Sequence, residues 1–302
     1  MPAPGRFGAV ICAMVTPFDE QGGLDIAGAV KLARWLVENG NDGLVLTGTT
    51  GEATTLSDSE KVELWKAVRQ AVAAPVLAGT GTASTAHSVE LTRMAADAGV
   101  DGALVVTPYY NRPSQAGIDA HFRAIAAASA LPVIAYDIPK RTGRELKTST
   151  LVNLARDGAI AGVKDAAGSP AATAVLIEQA PSGFEVYSGD DSYTLPLLAV
   201  GAVGVISVAS HWAGPEIGEM IAAFAKGDTE AATALNARLG ESWEFQTSDA
   251  APNPVPTKAM MRALGLPSGE CRLPMGPTPE GLVARAEQVW SNLHPRAVPA
   301  AP

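Results

Sequence analysis

One lysine stands inside an otherwise apolar segment, Ile160-Ala161-Gly162-Val163-Lys164-Asp165, whose residue types read as a short parallel strand buried on both faces. Taking an ammonium out of water costs several kcal/mol, so a lysine there is either paired or has its pKa pushed down by desolvation. A neutral amine is a nucleophile for a carbonyl, and Lys164 is therefore a candidate Schiff-base residue. The same segment also fits a lysine at a strand end that reaches solvent or pairs with Asp165. Other residues at comparable places have to separate the two.

Three further groups could take part in carbonyl chemistry. The loop Gly48-Thr49-Thr50-Gly51 offers backbone N–H groups and two hydroxyls to a small carboxylate, although capping threonines in a turn look the same. Tyr136 could relay protons beside an imine, or only close a core with its hydroxyl satisfied elsewhere. Arg141 could grip a carboxylate with two parallel hydrogen bonds, or lie on the surface. Metal chemistry has weaker support, because His87, His121, His211 and His294 are scattered with no ligand spacing. Asp190-Asp191 resembles half of a Mg²⁺ site but lacks a third carboxylate, and reads better as a hydrogen-bonding and helix-capping element.

The elements that must position these groups recur regularly. Short apolar strands are expected at 9–15, 43–46, 75–78, 102–106, 132–136, 159–164, 185–188 and 204–208. Between them lie amphipathic stretches at 25–38, 57–72, 84–98, 115–130, 148–156, 170–179, 192–200 and 215–225, a spacing of roughly 20 to 30 residues per βα unit. Eight such units predict an α/β fold, a closed (β/α)8 TIM barrel, over residues 1–226. Glycine-rich signatures of open nucleotide-binding folds are missing: Gly79-Thr80-Gly81-Thr82-Ala83-Ser84 lacks the third glycine, and no P-loop occurs. Beyond the barrel, 227–294 reads as a C-terminal helical extension with helices near 230–245, 256–264 and 279–291. Residues 295–302, rich in Pro and Ala, read as a disordered tail. In such a barrel the strands' C-terminal ends carry the chemistry, and Thr49, Tyr110, Tyr136 and Lys164 all fall at strand ends or just after them.

Composition narrows the function classes. With 47% apolar and only 5% aromatic residues, the interior must be built from Ala, Val, Leu and Ile, as layered strands and closely packed helices require. Lys and Arg total 22 against 31 Asp and Glu, a net charge of −9, which excludes a general basic surface for nucleic acid. Cys12 and Cys271 are too few for a disulfide framework or a zinc set, so a reduced, cytoplasmic setting is expected. No segment has the length of a membrane span, and the N-terminal stretch lacks signal-peptide architecture.

Taken together, GTTGE at 48–52, TPYYNRP at 107–113, YDIPKRTG at 136–143, GVKDAAG at 162–168, SGDD at 188–191 and GVISV at 204–208 resemble the dihydrodipicolinate synthase family, within the pyruvate-dependent class I aldolases. NPVPTK at 253–258 and RLPMGP at 272–277 extend the resemblance into the helical region, so that it covers about residues 8–293. It implies a lyase of lysine and diaminopimelate biosynthesis that condenses pyruvate with aspartate 4-semialdehyde and needs no metal or organic cofactor. It further implies that Lys164 forms the imine, that Thr49 and Thr50 hold the pyruvate carboxylate, and that Tyr136 moves protons in a relay with Thr50 and Tyr110. Arg141 would bind the semialdehyde carboxylate, Gly189 would line the pocket, and the Ile206 carbonyl would face the pyruvate end. Tyr110 would reach into a neighbouring subunit's site, implying tight dimers paired into a homotetramer. The alternatives are a sugar-acid aldolase of the same superfamily, such as an N-acetylneuraminate lyase or a keto-deoxy-sugar aldolase, and a non-catalytic pyruvate-binding homologue. Arg141 and the second threonine argue against the first. One departure concerns regulation: Ala83 and His87 stand where lysine-inhibited members place Asn and Glu, which implies weak or absent feedback by lysine, although Tyr109 is retained.

Overall fold

Eight strands, short and nearly free of charge, are buried on both faces, as the uninterrupted apolar runs require. They are β1 (Val10–Ala13), β2 (Gly43–Leu46), β3 (Val76–Gly79), β4 (Gly102–Val106), β5 (Val133–Asp137), β6 (Gly162–Asp165), β7 (Glu185–Ser188) and β8 (Gly204–Ser207). In the computed structural model, which describes residues 5–295, they pair in parallel in sequence order and β8 closes onto β1. The expected barrel is therefore present.

Helices α1 (Ile26–Glu38), α2 (Asp58–Ala71), α3 (Thr85–Asp97), α4 (Gln115–Ala126), the short α5 (Pro139–Thr142), α6 (Thr148–Arg156), α7 (Pro170–Gln179), α8 (Thr194–Ala199) and α9 (Ser210–Ala225) surround it. Caps start them where the sequence places the signals. Ser57 accepts from the Glu60 backbone N–H while the Glu60 carboxylate accepts from the Ser57 backbone, a complete capping box. Three helices, α10 (Thr229–Phe245), α11 (Val255–Ala263) and α12 (Leu282–Leu293), follow the barrel, with α10 packed on α9 and α12 on α11.

Two layers of apolar side chains hold the strands. Inside the barrel, Phe7, Ile11, Val45, Leu77, Leu104, Ile134, Tyr187 and Ile206 form one cluster with Tyr136. Outside it, Leu, Val, Ile and Ala residues pack the helices onto the strands. No helix among the described residues is long and apolar enough to cross a membrane.

The strands expected at 9–15 and 159–164 shorten to Val10–Ala13 and Gly162–Asp165, the short α5 is absent from the expectation, and four of the expected helices differ more widely. The helix expected at 215–225 begins at Ser210, because the chain kinks at Ala213 (φ −123°) and continues past Pro215 instead of starting there. The stretch at 192–200 divides into a 3₁₀ turn, Asp191–Tyr193, and α8. The stretch at 115–130 ends at Ala126, capped by Ala127. The helix expected from 279 begins at Leu282, since Gly281 takes a left-handed φ of 78° that a helix interior does not accept. Of the tail expected at 295–302, all but Pro295 lies outside the described residues.

Candidate active site

Register brings Lys164 and Tyr136 together. They are directly paired across β5 and β6, and the Lys164 Nζ lies 4.4 Å from the Tyr136 ring centroid. Lys164 is only 4% exposed. The adjacent Asp165 is not its partner: that carboxylate accepts the Thr173 hydroxyl at 2.6 Å and the Ala167 N–H at 2.9 Å. Burial pushes the Lys164 ammonium down to about 8, opposed by the buried negative charge of Asp191 and assisted by the positive charge of Arg141. The same burial pushes the Tyr136 phenol up to about 12, against the pull of Arg141 and of the nearby Thr49 hydroxyl. A lysine poised to lose its proton thus sits beside a phenol that keeps its own.

The loops after β2 and β4 supply the walls. Among the described residues, four non-glycine positions have left-handed backbone, Thr47 (φ 53°), Glu52 (φ 55°), Tyr110 (φ 70°) and Arg112 (φ 48°), and all lie in these two loops. Such strain costs of order 1–3 kcal/mol per residue and persists only where surroundings enforce it. Here they do. The Thr47 hydroxyl donates to the Gly79 carbonyl and accepts from the Trp65 indole at 2.9 Å, and Arg112 Nε donates to the Gly143 carbonyl at 2.9 Å. Glu52 is clamped by a fully buried ion pair with Lys258 at 2.6 Å and by the Arg272 backbone N–H at 2.8 Å.

A cavity of about 630 Å³ opens between these loops, lined among others by Thr49, Tyr109, Tyr110, Tyr136, Arg141 and Asn253. Arg141 reaches its wall from α5, which is closed by left-handed Gly143. Tyr110 is 94% exposed at the mouth, an unusual setting for an aromatic side chain. Thr50 lies deeper, 2% exposed, and its hydroxyl accepts from Asn253 Nδ2 at 3.0 Å. The Thr49 hydroxyl lies close enough to the Tyr136 phenol to oppose the rise in its pKa. Gly189 packs against the lysine stem: a Cβ there would stand 2.9 Å from Lys164 Cγ, so only glycine fits without displacement. Ile206 is buried on β8 within the barrel interior.

Asp190 and Asp191 behave as capping and bonding groups. Asp190 accepts from the Ser192 N–H and hydroxyl, and the buried Asp191 accepts from the backbone N–H groups of Val208 and Ala209, both at 3.0 Å. Among the described residues no cluster of three His, Cys, Asp or Glu side chains could hold a metal ion. The histidines have other partners. His211 is neutral, its Nε2 accepting from the Val15 N–H while Nδ1 donates to the Val208 carbonyl, and burial holds its pKa down at about 4. His87 Nε2 meets Asp58 at 2.8 Å, and Lys61 meets the same carboxylate at 3.2 Å.

Comparison with known sequences decides the ancestry. The profile of the dihydrodipicolinate synthetase family matches residues 6–289. The chain belongs to this family. A 4-hydroxy-tetrahydrodipicolinate synthase from Moorella thermoacetica is 50% identical over 274 residues, covering 89% of this chain and 92% of the relative. Among solved structures, the lysine-bound dihydrodipicolinate synthase of Cyanidioschyzon merolae superposes with a TM-score of 0.93 at 42% identity, covering 96% of this chain and 99% of the other. The chloride-inhibited, pyruvate-complexed enzyme of Acinetobacter baumannii gives 0.90 at 37% identity, with 95% and 99% covered. Residues of the GTTGE, TPYYNRP, YDIPKRTG, NPVPTK and RLPMGP motifs line the cavity, and Lys164 stands buried against Tyr136 on its wall. Asn253 and the Glu52–Lys258 pair also belong to that cavity's surroundings, and the sequence offered for them only the NPVPTK motif.

Proposed function

We infer that the chain is a 4-hydroxy-tetrahydrodipicolinate synthase, and we propose that it works through an imine between Lys164 and pyruvate. The observation that carries the mechanism is the buried lysine beside Tyr136, with its proton held loosely. The Lys164 amine adds to the ketone of pyruvate, and the resulting carbinolamine loses water to give the protonated imine. That imine is an electron sink, so a proton leaves the pyruvate methyl and an enamine forms. The enamine carbon attacks the aldehyde of aspartate 4-semialdehyde, whose oxygen takes up a proton. The substrate's own amine then displaces Lys164 from the imine carbon, closing the six-membered ring and freeing the enzyme.

In this reading Tyr136 carries protons, with the Thr49 hydroxyl as its immediate partner and Tyr110 as the outer member of the relay. Thr49 and Thr50 face the pyruvate carboxylate, and Arg141 takes the carboxylate of the semialdehyde. Gly189 and the Ile206 carbonyl line the pyruvate end. The barrel, through residue 226, carries these groups, while the extension at 227–294 supports them. Exposed Tyr110 fits a contact with a second copy, and we propose tight dimers paired into a homotetramer in the cytoplasm. A sugar-acid aldolase would want neutral hydrogen-bonding groups where this cavity presents a guanidinium. Incubation with pyruvate and aspartate semialdehyde, set beside N-acetylneuraminate cleavage, tests the assignment: product from the first pair and none from the second is expected, and the reverse would overturn it.

The lysine pKa gives a pH dependence. At pH 7 about a tenth of the Lys164 amine is neutral, and the fraction rises as pH passes about 8. Imine formation with pyruvate, sampled at different pH values and quenched into borohydride at one fixed pH, should therefore accelerate from pH 6 and level off above about 8. An inflection near the ordinary lysine value of 10.5 would contradict the buried, lowered lysine.

Regulation by lysine should be weak. On the cavity wall, Asp58 is already shared by Lys61 and His87, and Ala83, next to the wall residue Thr82, has no polar side chain to offer. A dibasic effector meets a fixed ammonium there. Half-inhibition of the purified protein by sub-millimolar lysine would defeat this expectation.

A further inference from the structure

Among the described residues, the extension lines the cavity with one polar side chain, that of Asn253. Asn253 Nδ2 donates to the Thr50 hydroxyl across 203 residues of chain, at 3.0 Å. Both residues are buried, at 7% and 2% exposure. Asn253 Oδ1 accepts the Thr257 hydroxyl at 3.3 Å, and its backbone N–H donates to the Thr247 hydroxyl at 3.3 Å, so the amide is held between two threonines and its backbone is tied to a third. One turn into α11, Lys258 fastens the same segment to Glu52 in the fully buried pair at 2.6 Å. The extension and the threonine loop are thereby held in one arrangement.

A threonine hydroxyl has one proton and two lone pairs. When a fixed amide N–H occupies a lone pair, the proton is left to point elsewhere, and the hydroxyl behaves as a donor. We propose that Asn253 is a positioning residue that fixes the Thr50 hydroxyl as a hydrogen-bond donor toward the pyruvate carboxylate. The inference deepens the function proposed above and rests on pyruvate binding beside Lys164. It also gives the two adjacent threonines different tasks. Thr49 lies near the Tyr136 phenol, while Thr50 is the hydroxyl that already accepts a side-chain hydrogen bond.

The substitution that isolates polarity from packing is Asn253→Asp. A carboxylate of the same size accepts the Thr50 proton instead of donating to its oxygen, and places a negative charge beside the site for an anion. The pyruvate concentration that half-saturates borohydride trapping on Lys164 should rise about tenfold or more in Asn253→Asp, and by a smaller factor in Asn253→Ala. In a Thr50→Val background, Asn253→Ala should add nothing further, since the hydroxyl it acts through is gone. A merely structural role would lower the melting temperature and the trapped fraction without moving half-saturation, and would add its effect to that of Thr50→Val. An unchanged half-saturation in Asn253→Asp, with the adduct still on Lys164, overturns the inference, as does additivity in the cycle. Should Asn253→Asp fail to fold, the Asn253→Ala and Thr50→Val cycle decides alone. Absence of a Lys164 adduct in the unsubstituted protein removes the imine reading itself, and this inference with it.

Discussion

Lys164→Ala should form no pyruvate adduct and lose synthase activity by on the order of 10⁴-fold or more, the scale on which removal of a covalent nucleophile is felt. Lys164→Arg should fail equally, because a guanidinium keeps the charge but does not give up its proton at any working pH. The fold should survive both measurements. Lys164 holds its proton less tightly in the folded chain, at about 8, than the ordinary 10.5. Below about pH 8 both states are protonated and the folded state carries the full burial penalty, which fades as pH rises toward 10.5. Removing the ammonium lifts that penalty at neutral pH and offsets the small cavity left behind. Circular dichroism and a thermal melt at pH 7 should therefore match or exceed the parent. A large drop in melting temperature would recast Lys164 as structural.

Arg141→Ala should separate the two substrates. A charge-assisted contact to a carboxylate contributes roughly 1.5–3 kcal/mol, so kcat/KM for the semialdehyde should fall by about 10- to 150-fold. Pyruvate half-saturation in the trapping reaction should stay near the parent value, since that substrate's carboxylate is assigned to the threonine loop. A second effect is expected from the same change. The guanidinium pulls down both the Lys164 and Tyr136 pKa values, so its removal should move the trapping profile toward higher pH. Arg141 is exposed enough that this movement should be modest. Steady-state kinetics with each substrate varied in turn would check it, and unchanged semialdehyde kinetics would take Arg141 out of the site.

What the sequence made legible follows from distance and burial. The strands could be read because burial on both faces leaves a continuous apolar run, and Lys164 could be read because a charge interrupts one of them. Asp190-Asp191 could be read as a bonding and capping pair because it sits at a strand end with no third carboxylate nearby. Contacts that depend on how a loop turns stayed hidden. Thr49 and Thr50 are adjacent and chemically identical, and the strained turn between Thr47 and Glu52 decides which hydroxyl meets Asn253. The bond from Asn253 to Thr50 and the ion pair of Glu52 with Lys258 join segments about two hundred residues apart, where neither periodicity nor spacing carries a signal. The start of α9 was hidden by Pro215, which the helix accommodates through a kink at Ala213.

The imine on Lys164 is the claim on which the other assignments depend. Incubating the protein with pyruvate and borohydride, then mapping the mass increase by peptide mass spectrometry, tests it directly. The reduced pyruvate adduct should appear on the peptide containing Lys164, and on no other lysine. An unmodified Lys164, or an adduct carried by a different residue, would contradict the imine mechanism and return the chain to a pyruvate-binding role.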